Sequence, residues 1–197
     1  MEIAFETLIA SYLQDKIGIA DHFISDALAV HLQDNMLQLV REKLLVAAGT
    51  GNDQKLVHDT SVRRDAIYWL DKNHHNIHET AFLEQMEAFI LYLNNSCYAG
   101  ITGYEFHYSL YETGAFYVRH LDQFQDNASR TYSMISYLNA NWQQEDGGEL
   151  LVHHLKKDQH IAPTQGRTVF FKSNELEHEV LVTQARRMSI AGWLKRD

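Results

Sequence analysis

The chain is poor in cysteine, in long apolar runs and in positive charge. Cys97 is the only cysteine, so an internal disulfide is impossible and a cysteine-based zinc site is excluded. No apolar run reaches the roughly 18 residues that cross a bilayer, and the acidic, amphipathic residues 1–18 do not resemble a secretory signal. The formal charge of -9 argues against nucleic acid as the main partner. These absences predict a cytoplasmic protein that binds neither membranes nor nucleic acid.

What is present predicts one domain over residues 1–197. The length and the 45% apolar content suffice for a sizeable core. Residues 1–100 are mostly helical in pattern. A first amphipathic helix is expected to begin at a Ser25-Asp26 cap and to end at the glycines of residues 49–51, and a second fits residues 78–96.

From about residue 101 onward the hydrophobic period changes. Short segments rich in aromatic and β-branched residues are separated by turn signals. They are EFHYSLYE, RTYSMISYLN, GELLVHHL, RTVFFKS, HEVLVT and RMSIAGWL. Such a series predicts antiparallel sheets, in a sandwich or a double-sheet jelly roll. Residues 101–197 are therefore expected to form the β core, and the helices of the first 100 residues to pack on one sheet.

The segment YVRHLDQFQD has the pattern of a strand and places a histidine and an aspartate two positions apart. Residues i and i+2 of a strand share a face, so His120 and Asp122 can both reach one metal ion from a single strand end. Alternating polar residues on a solvated strand give the same pattern. The pair alone does not decide between a metal site and an outer sheet face.

A second segment, ELEHEVLVTQARRMSIAGW, adds His178 and Arg187. If the chain turns near residues 182–184, these two residues lie opposite each other in a hairpin. Two histidines and one carboxylate form the facial triad of non-haem Fe(II) oxygenases. The far carboxylate of 2-oxoglutarate needs a bidentate cation such as Arg187, and Tyr137 is placed to add a hydrogen bond. The alternative is a surface arginine, as alternation predicts for Arg186.

Several motifs occur in a fixed order over residues 62–193. They are the RxDxIxW pattern of VRRDAIYWL, the HxD of YVRHLDQF, YLN, a tryptophan, GG, HEV, and the arginine nine residues after the second histidine. Together they resemble the catalytic domain of the 2-oxoglutarate- and Fe(II)-dependent prolyl hydroxylases. The likeness is greatest to the branch with the hypoxia-inducible-factor prolyl hydroxylases and their bacterial relatives.

The resemblance implies a double-stranded β-helix, a jelly roll, buttressed by N-terminal helices, and it implies roles for individual residues. The corresponding positions are His120, Asp122 and His178 for Fe(II); Arg187, Tyr137 and Tyr111 for 2-oxoglutarate; and Trp193 and Arg130 for the substrate. Tyr111 matches a tyrosine near the iron-binding end of the co-substrate. Asp65 is expected to pair with Arg130 across the domain.

The implied reaction hydroxylates a prolyl residue of a protein or peptide to 4-hydroxyproline. It consumes O2 and 2-oxoglutarate and releases succinate and CO2, with ascorbate as a candidate reductant. Substrate recognition transfers least, because the segment before His120 is slightly shorter than in the animal enzymes and the loop 123–129 differs in composition. The alternatives are the same chemistry on a small molecule or a non-prolyl side chain, a Zn-dependent hydrolase, which leaves Arg187 unexplained, or an inactive binding module.

Overall fold

The computed structural model describes residues 2–49, 57–123, 127–154 and 157–196. Within these ranges the helices are α1 (Glu2–Asp15), α2 (Asp26–Arg41) and α3 (Ile77–Cys97), with short 3₁₀ turns at Lys72–His74 and Gln144–Asp146. The strands are β1 (Ile17–Ala20), β2 (Val46–Ala47), β3 (Ala66–Trp69), β4 (Gly103–Tyr111), β5 (Tyr117–His120), β6 (Arg130–Tyr137), β7 (Leu150–Val152), β8 (Gln159–Ile161), β9 (Thr168–Lys172), β10 (His178–Val180) and β11 (Arg187–Lys195). In this part of the chain no helix has the length and apolarity needed to cross a membrane.

The strands form two antiparallel sheets, which confirms the predicted jelly roll. The larger sheet has the order β1-β9-β6-β11-β4-β3-β2 and the smaller one the order β5-β10-β7-β8. Three strands of the larger sheet, β1 to β3, come from the first 100 residues, where the pattern was mostly helical. The second predicted helix, over residues 78–96, is confirmed as α3.

Alternation along the central strands of the larger sheet divides its side chains between two layers. On β4, Phe106, Tyr108 and Leu110 are buried in an apolar core that the three helices complete. His107 and Ser109 on the same strand line a cavity between the two sheets instead. Burial of the first set stabilises the packing of helices on sheet, and the second set is left for a binding site.

Helix α2 begins as predicted but is shorter than predicted. The Ser25 hydroxyl caps it by accepting a hydrogen bond from a first-turn N–H at 3.2 Å. It ends at Arg41, so the predicted end at Gly49 and Gly51 was wrong. Lys43 adopts a left-handed backbone conformation with φ of 60°, and the chain then enters β2. Gly51 lies outside the described residues.

His178 and Arg187 do not form the predicted hairpin. His178 begins β10 in the smaller sheet, directly opposite His120 of β5. Arg187 begins β11 in the larger sheet, directly opposite Tyr111 of β4. The hairpin prediction was wrong because residues 181–186 cross from one sheet to the other, and a turn signal does not specify the sheet to which the next strand returns.

A glycine pair tests the close packing of β11 against β4. A Cβ atom added at Gly192 would lie 2.2 Å from the Glu105 carbonyl oxygen, whereas one added at Gly103 would meet nothing within 4 Å. We expect Gly192→Ala to lower the free energy of unfolding by about 1–3 kcal/mol or more, because a backbone oxygen in a strand ladder has little freedom to move. Gly103→Ala should be neutral or slightly stabilising. Urea denaturation of both variants checks this, and equal midpoints would contradict the packing described.

Candidate active site

Three predicted metal ligands converge at one end of the smaller sheet. His120 ends β5, Asp122 follows it two residues later, beyond the strand, and His178 begins β10. The Nε2 atom of His120 lies 3.4 Å from one carboxylate oxygen of Asp122, and the Nε2 atom of His178 lies 3.6 Å from the other. The three candidate ligand atoms are within 4.8 Å of one another. Because the two histidines are a direct cross-strand pair, the sheet itself fixes their separation.

Backbone carbonyl groups fix the tautomer of both histidines. The Nδ1 atom of His120 is 2.7 Å from the Val118 oxygen, and the Nδ1 atom of His178 is 3.1 Å from the Leu176 oxygen. A carbonyl oxygen only accepts hydrogen bonds, so each Nδ1 carries the proton and each Nε2 has a free lone pair. Two bare nitrogens then face the carboxylate of Asp122 with no donor between them. This donor set fits a divalent cation, and two nitrogens with one carboxylate is the facial triad of non-haem iron.

The charge states of these groups also suit metal binding. Burial alone would raise the pKa of Asp122, but the two histidines and a 2.6 Å hydrogen bond from the Ser133 hydroxyl outweigh it, and the pKa is far below its ordinary value. Burial lowers the pKa of His178 to about 4, against the opposing effect of Asp122. At neutral pH the aspartate is therefore ionised and His178 is neutral, which are the forms that ligate metals.

A stack of half-buried side chains packs against His120. The rings of Tyr117 and His120 are stacked with their centres 3.6 Å apart, and the guanidinium carbon of Arg63 lies 4.3 Å from the centre of the Tyr117 ring. Arg63 donates two 2.7 Å hydrogen bonds to Asp65, which also accepts one from Ser109 at 2.8 Å. The segment that precedes β3, bound to Ser109 of β4, thus supports a candidate metal ligand of the smaller sheet.

Arg187 is a buried cation whose partners are neutral. Its Nε donates to the Gly148 carbonyl oxygen at 2.8 Å, and its guanidinium carbon lies 4.9 Å and 5.1 Å from the ring centres of Tyr111 and Tyr137. Among the described residues no carboxylate lies within ion-pair distance of it, and the buried Tyr137 hydroxyl has no hydrogen-bond partner. A buried guanidinium beside an unpaired hydroxyl has the polarity of an anion site.

Gly148 makes room for this arginine. Its φ is 71°, and a Cβ atom there would lie 2.9 Å from Cδ of Arg187 and 2.8 Å from Cγ2 of Thr183. The GG motif therefore provides a close approach as well as a turn. The sequence alone predicts only a turn at this motif, and it does not reveal the contact of Ser133 with Asp122, although two-residue periodicity places Ser133 on the same strand face as Tyr137.

The candidate metal and anion sites open into one cavity of about 860 Å³ between the sheets. Trp193 and Arg130, predicted to contact the substrate, line it as well, and the guanidinium of Arg130 covers the Trp193 ring at 3.4 Å. The predicted pairing of Arg130 with Asp65 was wrong. Arg130 donates to Glu105 at 2.9 Å, because both side chains lie on the cavity face at the far end of the sheet, whereas Asp65 is bound to Arg63.

A jelly roll with two histidines and an aspartate at one end, and a buried arginine in the same cavity, defines the class of 2-oxoglutarate/Fe(II) oxygenases. The family model of the 2OG-Fe(II) oxygenase superfamily matches residues 106–195. A Pseudomonas putida prolyl-4-hydroxylase is 30% identical, with 98% of this chain and 99% of that chain covered and a TM-score of 0.88. The chain belongs to the prolyl hydroxylase family of these oxygenases, and this family uses Fe(II) and 2-oxoglutarate.

Two more distant structures share the fold. A prolyl hydroxylase from Trichoplax adhaerens, solved in complex with a hypoxia inducible factor oxygen degradation domain peptide fragment, is 22% identical. The match covers 98% of this chain and 90% of that chain, with a TM-score of 0.86. A prolyl 4-hydroxylase from Phytophthora capsici is 17% identical, with coverages of 99% and 65% and a TM-score of 0.74.

The buried pair of Arg63 and Asp65 yields a stability prediction. Asp65→Ala leaves the guanidinium of Arg63 buried without its carboxylate, which typically costs about 3–5 kcal/mol. Glu112→Ala is the matched control, since it breaks the exposed pair with Arg186 and should cost less than about 1 kcal/mol. Urea denaturation measures both. Equal losses would show that the Arg63–Asp65 pair does not hold the sheets around Tyr117.

Proposed function

We propose that this chain hydroxylates a prolyl residue within a protein or peptide, with His120, Asp122 and His178 as the ligands of Fe(II). In this proposal Arg187 and Tyr137 bind the far carboxylate of 2-oxoglutarate, and Tyr111 lies near the iron-binding end of the co-substrate. The observation that carries the proposal is the buried Arg187, which has no carboxylate among the described residues, in the same cavity as three convergent metal-binding groups.

When bound, Fe(II) and 2-oxoglutarate supply the oxidation chemistry, in which O2 is consumed, one oxygen atom enters the substrate, and succinate and CO2 are released. The chain itself supplies binding, orientation and exclusion of water. The Nδ1 hydrogen bonds of His120 and His178 keep both Nε2 lone pairs directed at one point. Burial of Arg187 strengthens its attraction for a carboxylate, because few water molecules compete there.

The cavity rim supports a polypeptide substrate. Trp69 is 44% exposed, Val46 60% and Leu121 43%, and all three line the cavity. An apolar rim of this kind suits the side chains on either side of a target residue. The similarity to a prolyl-4-hydroxylase at 30% identity supports proline as the target, and Trp193 and Arg130 are proposed to contact it.

The rivals differ in what they leave unexplained. A Zn-dependent hydrolase would give Arg187 and Tyr137 no ligand, and an inactive binding module would not need both histidines in one tautomer. A small molecule or a non-prolyl side chain remains an outcome of the substrate experiment below. Of the loop 123–129, residues 124–126 lie outside the described residues. Ascorbate dependence and a cytoplasmic location stay predictions.

Cooperative ligand binding tests the proposed site without a known substrate. We expect Mn2+ and 2-oxoglutarate together to raise the melting temperature by more than the sum of their separate effects. A ligand at a hundredfold excess over its Kd stabilises the fold by about 2.7 kcal/mol, which is several degrees for a chain of this size. Arg187→Ala should keep the Mn2+ shift but weaken 2-oxoglutarate binding roughly ten- to a hundredfold, because a charge-assisted contact is lost.

Arg186→Ala is the matched control for this experiment. Arg186 is exposed and paired with Glu112, so its removal should leave the cooperative shift unchanged. Glutarate, which lacks the 2-oxo group, should give no cooperative shift. Loss of cooperativity in Arg186→Ala but not in Arg187→Ala would contradict the proposed anchor.

Mass spectrometry tests the prolyl substrate. A cell extract depleted of 2-oxoglutarate is incubated with Fe(II), 2-oxoglutarate and either the wild-type protein or Asp122→Ala. We expect the wild type alone to add one oxygen atom to proline in one or a few proteins. If oxygen is added only to other side chains, or if succinate forms only with a small-molecule fraction, the prolyl substrate is rejected. The assignment as an oxygenase would still stand.

A further inference from the structure

A row of stacked side chains forms one wall of the cavity, at the end of the larger sheet away from Arg187. Trp69 stacks on His107 with ring centres 5.0 Å apart, and His107 lies 5.6 Å from Trp193, which the Arg130 guanidinium covers at 3.4 Å. The four residues come from the adjacent strands β3, β4, β11 and β6. We call these four residues the aromatic ladder. Trp69, Trp193 and Arg130 are among the positions that carry the resemblance to prolyl hydroxylases, but His107 is not.

His107 presents a hydrogen-bond acceptor to the cavity. Its Nδ1 atom is 2.6 Å from the Ala191 carbonyl oxygen, so Nδ1 carries the proton and Nε2 has a free lone pair. Like Glu105, Ser109 and Tyr111 on the same strand, His107 lines the cavity, and Nε2 lies across its ring from the Nδ1 that is bound to the backbone. Burial lowers the pKa of His107 to about 3, which keeps the ring neutral at physiological pH.

This acceptor lacks a partner in the part of the chain that the structure describes. His107 is 4% exposed, and its single hydrogen bond in these ranges is the one to Ala191. The neighbouring Trp193 has a buried Nε1–H donor, and this donor has no hydrogen-bond acceptor among the described residues. An acceptor beside a donor on the wall of a cavity, neither of them paired with a described residue, suits a ligand with main-chain polar groups better than an apolar ligand, which would leave both unsatisfied.

We propose that His107 is a specificity-determining residue that accepts a hydrogen bond from a main-chain N–H of the peptide substrate, next to the target residue. This inference rests on the proposed function, because it takes the peptide to enter the cavity past the aromatic ladder. A proline has no N–H, so the target itself cannot supply the donor, and a neighbouring residue must. The site thereby selects peptides in which that neighbour is not proline, whatever its side chain.

Amide-to-ester substitution tests this contact, because an ester removes one N–H and leaves the size of the chain almost unchanged. The probe is the tightest binder in a library of pentapeptides with a central proline, measured on wild-type protein loaded with Mn2+ and 2-oxoglutarate. Each N–H of this peptide is then replaced in turn. We expect one ester to raise Kd by about three- to tenfold, as for a single neutral hydrogen bond.

The variants form a double-mutant cycle with that ester. His107→Met should weaken binding of the parent peptide by a similar factor, and in this variant the ester should bind as well as the parent. His107→Gln keeps an acceptor oxygen, so most of the difference in Kd between ester and parent should remain. His160→Met, an exposed histidine on β8 outside the cavity, is the control and should change neither value. An ester penalty that is the same in wild type and His107→Met at every position would overturn the inference.

Two further readouts keep the outcomes separate. His107→Met is usable only if it still binds Mn2+ and 2-oxoglutarate cooperatively. If it does not, the measurement on this variant is replaced by the 15N chemical shift of His107 Nε2 in the wild type. That shift should move with the parent peptide and less with the ester, and an equal movement would contradict the contact. If no proline peptide is bound by the wild type, or none is hydroxylated with Fe(II), the proposed prolyl function fails, and the inference fails with it.

Discussion

The cavity depends on one constraint, which is that successive side chains of a strand point to opposite faces of the sheet. On β4 and β11 the even-numbered side chains pack with the helices, and the odd-numbered ones, including Tyr111, Arg187, His107 and Trp193, face the cavity. A slip of one residue would exchange the two sets and force Arg187 into an apolar core. Pairing of β11 with both β4 and β6 along its length fixes the register against such a slip.

Arg63 is largely buried and Arg187 is fully buried, and the free-energy cost of removing a cation from water is offset differently in the two residues. The guanidinium of Arg63 forms an ion pair with the buried carboxylate of Asp65 and packs on the ring of Tyr117. Arg187 has a carbonyl group and two aromatic rings, but no carboxylate among the described residues. Since a buried cation is costly without an anionic partner, the fold itself satisfies Arg63, whereas the lack of such a partner for Arg187 among the described residues supports its proposed role as the anchor of a ligand.

Local sequence patterns predicted the elements better than their connections. Two-residue periodicity and the HxD spacing predicted the strands and the meeting of His120 with Asp122, and three- and four-residue spacing predicted α3. Pairing between strands is non-local, so the pattern did not reveal that the chain crosses between sheets before Arg187. The partner expected for Asp65 from the resemblance was wrong as well. The role of Gly148 depends on a contact with Arg187 across 39 positions of sequence, which no local signal contains.

Burial of Arg187 in a chain with a formal charge of -9 has a consequence for the kinetics of ligand exchange. At long range the net charge repels a dianion such as 2-oxoglutarate, and dissolved salt screens this repulsion. The proposed contact with the guanidinium would form inside the cavity, where salt screens much less. On this proposal, a higher ionic strength is expected to accelerate entry of the dianion and to leave its rate of escape nearly unchanged.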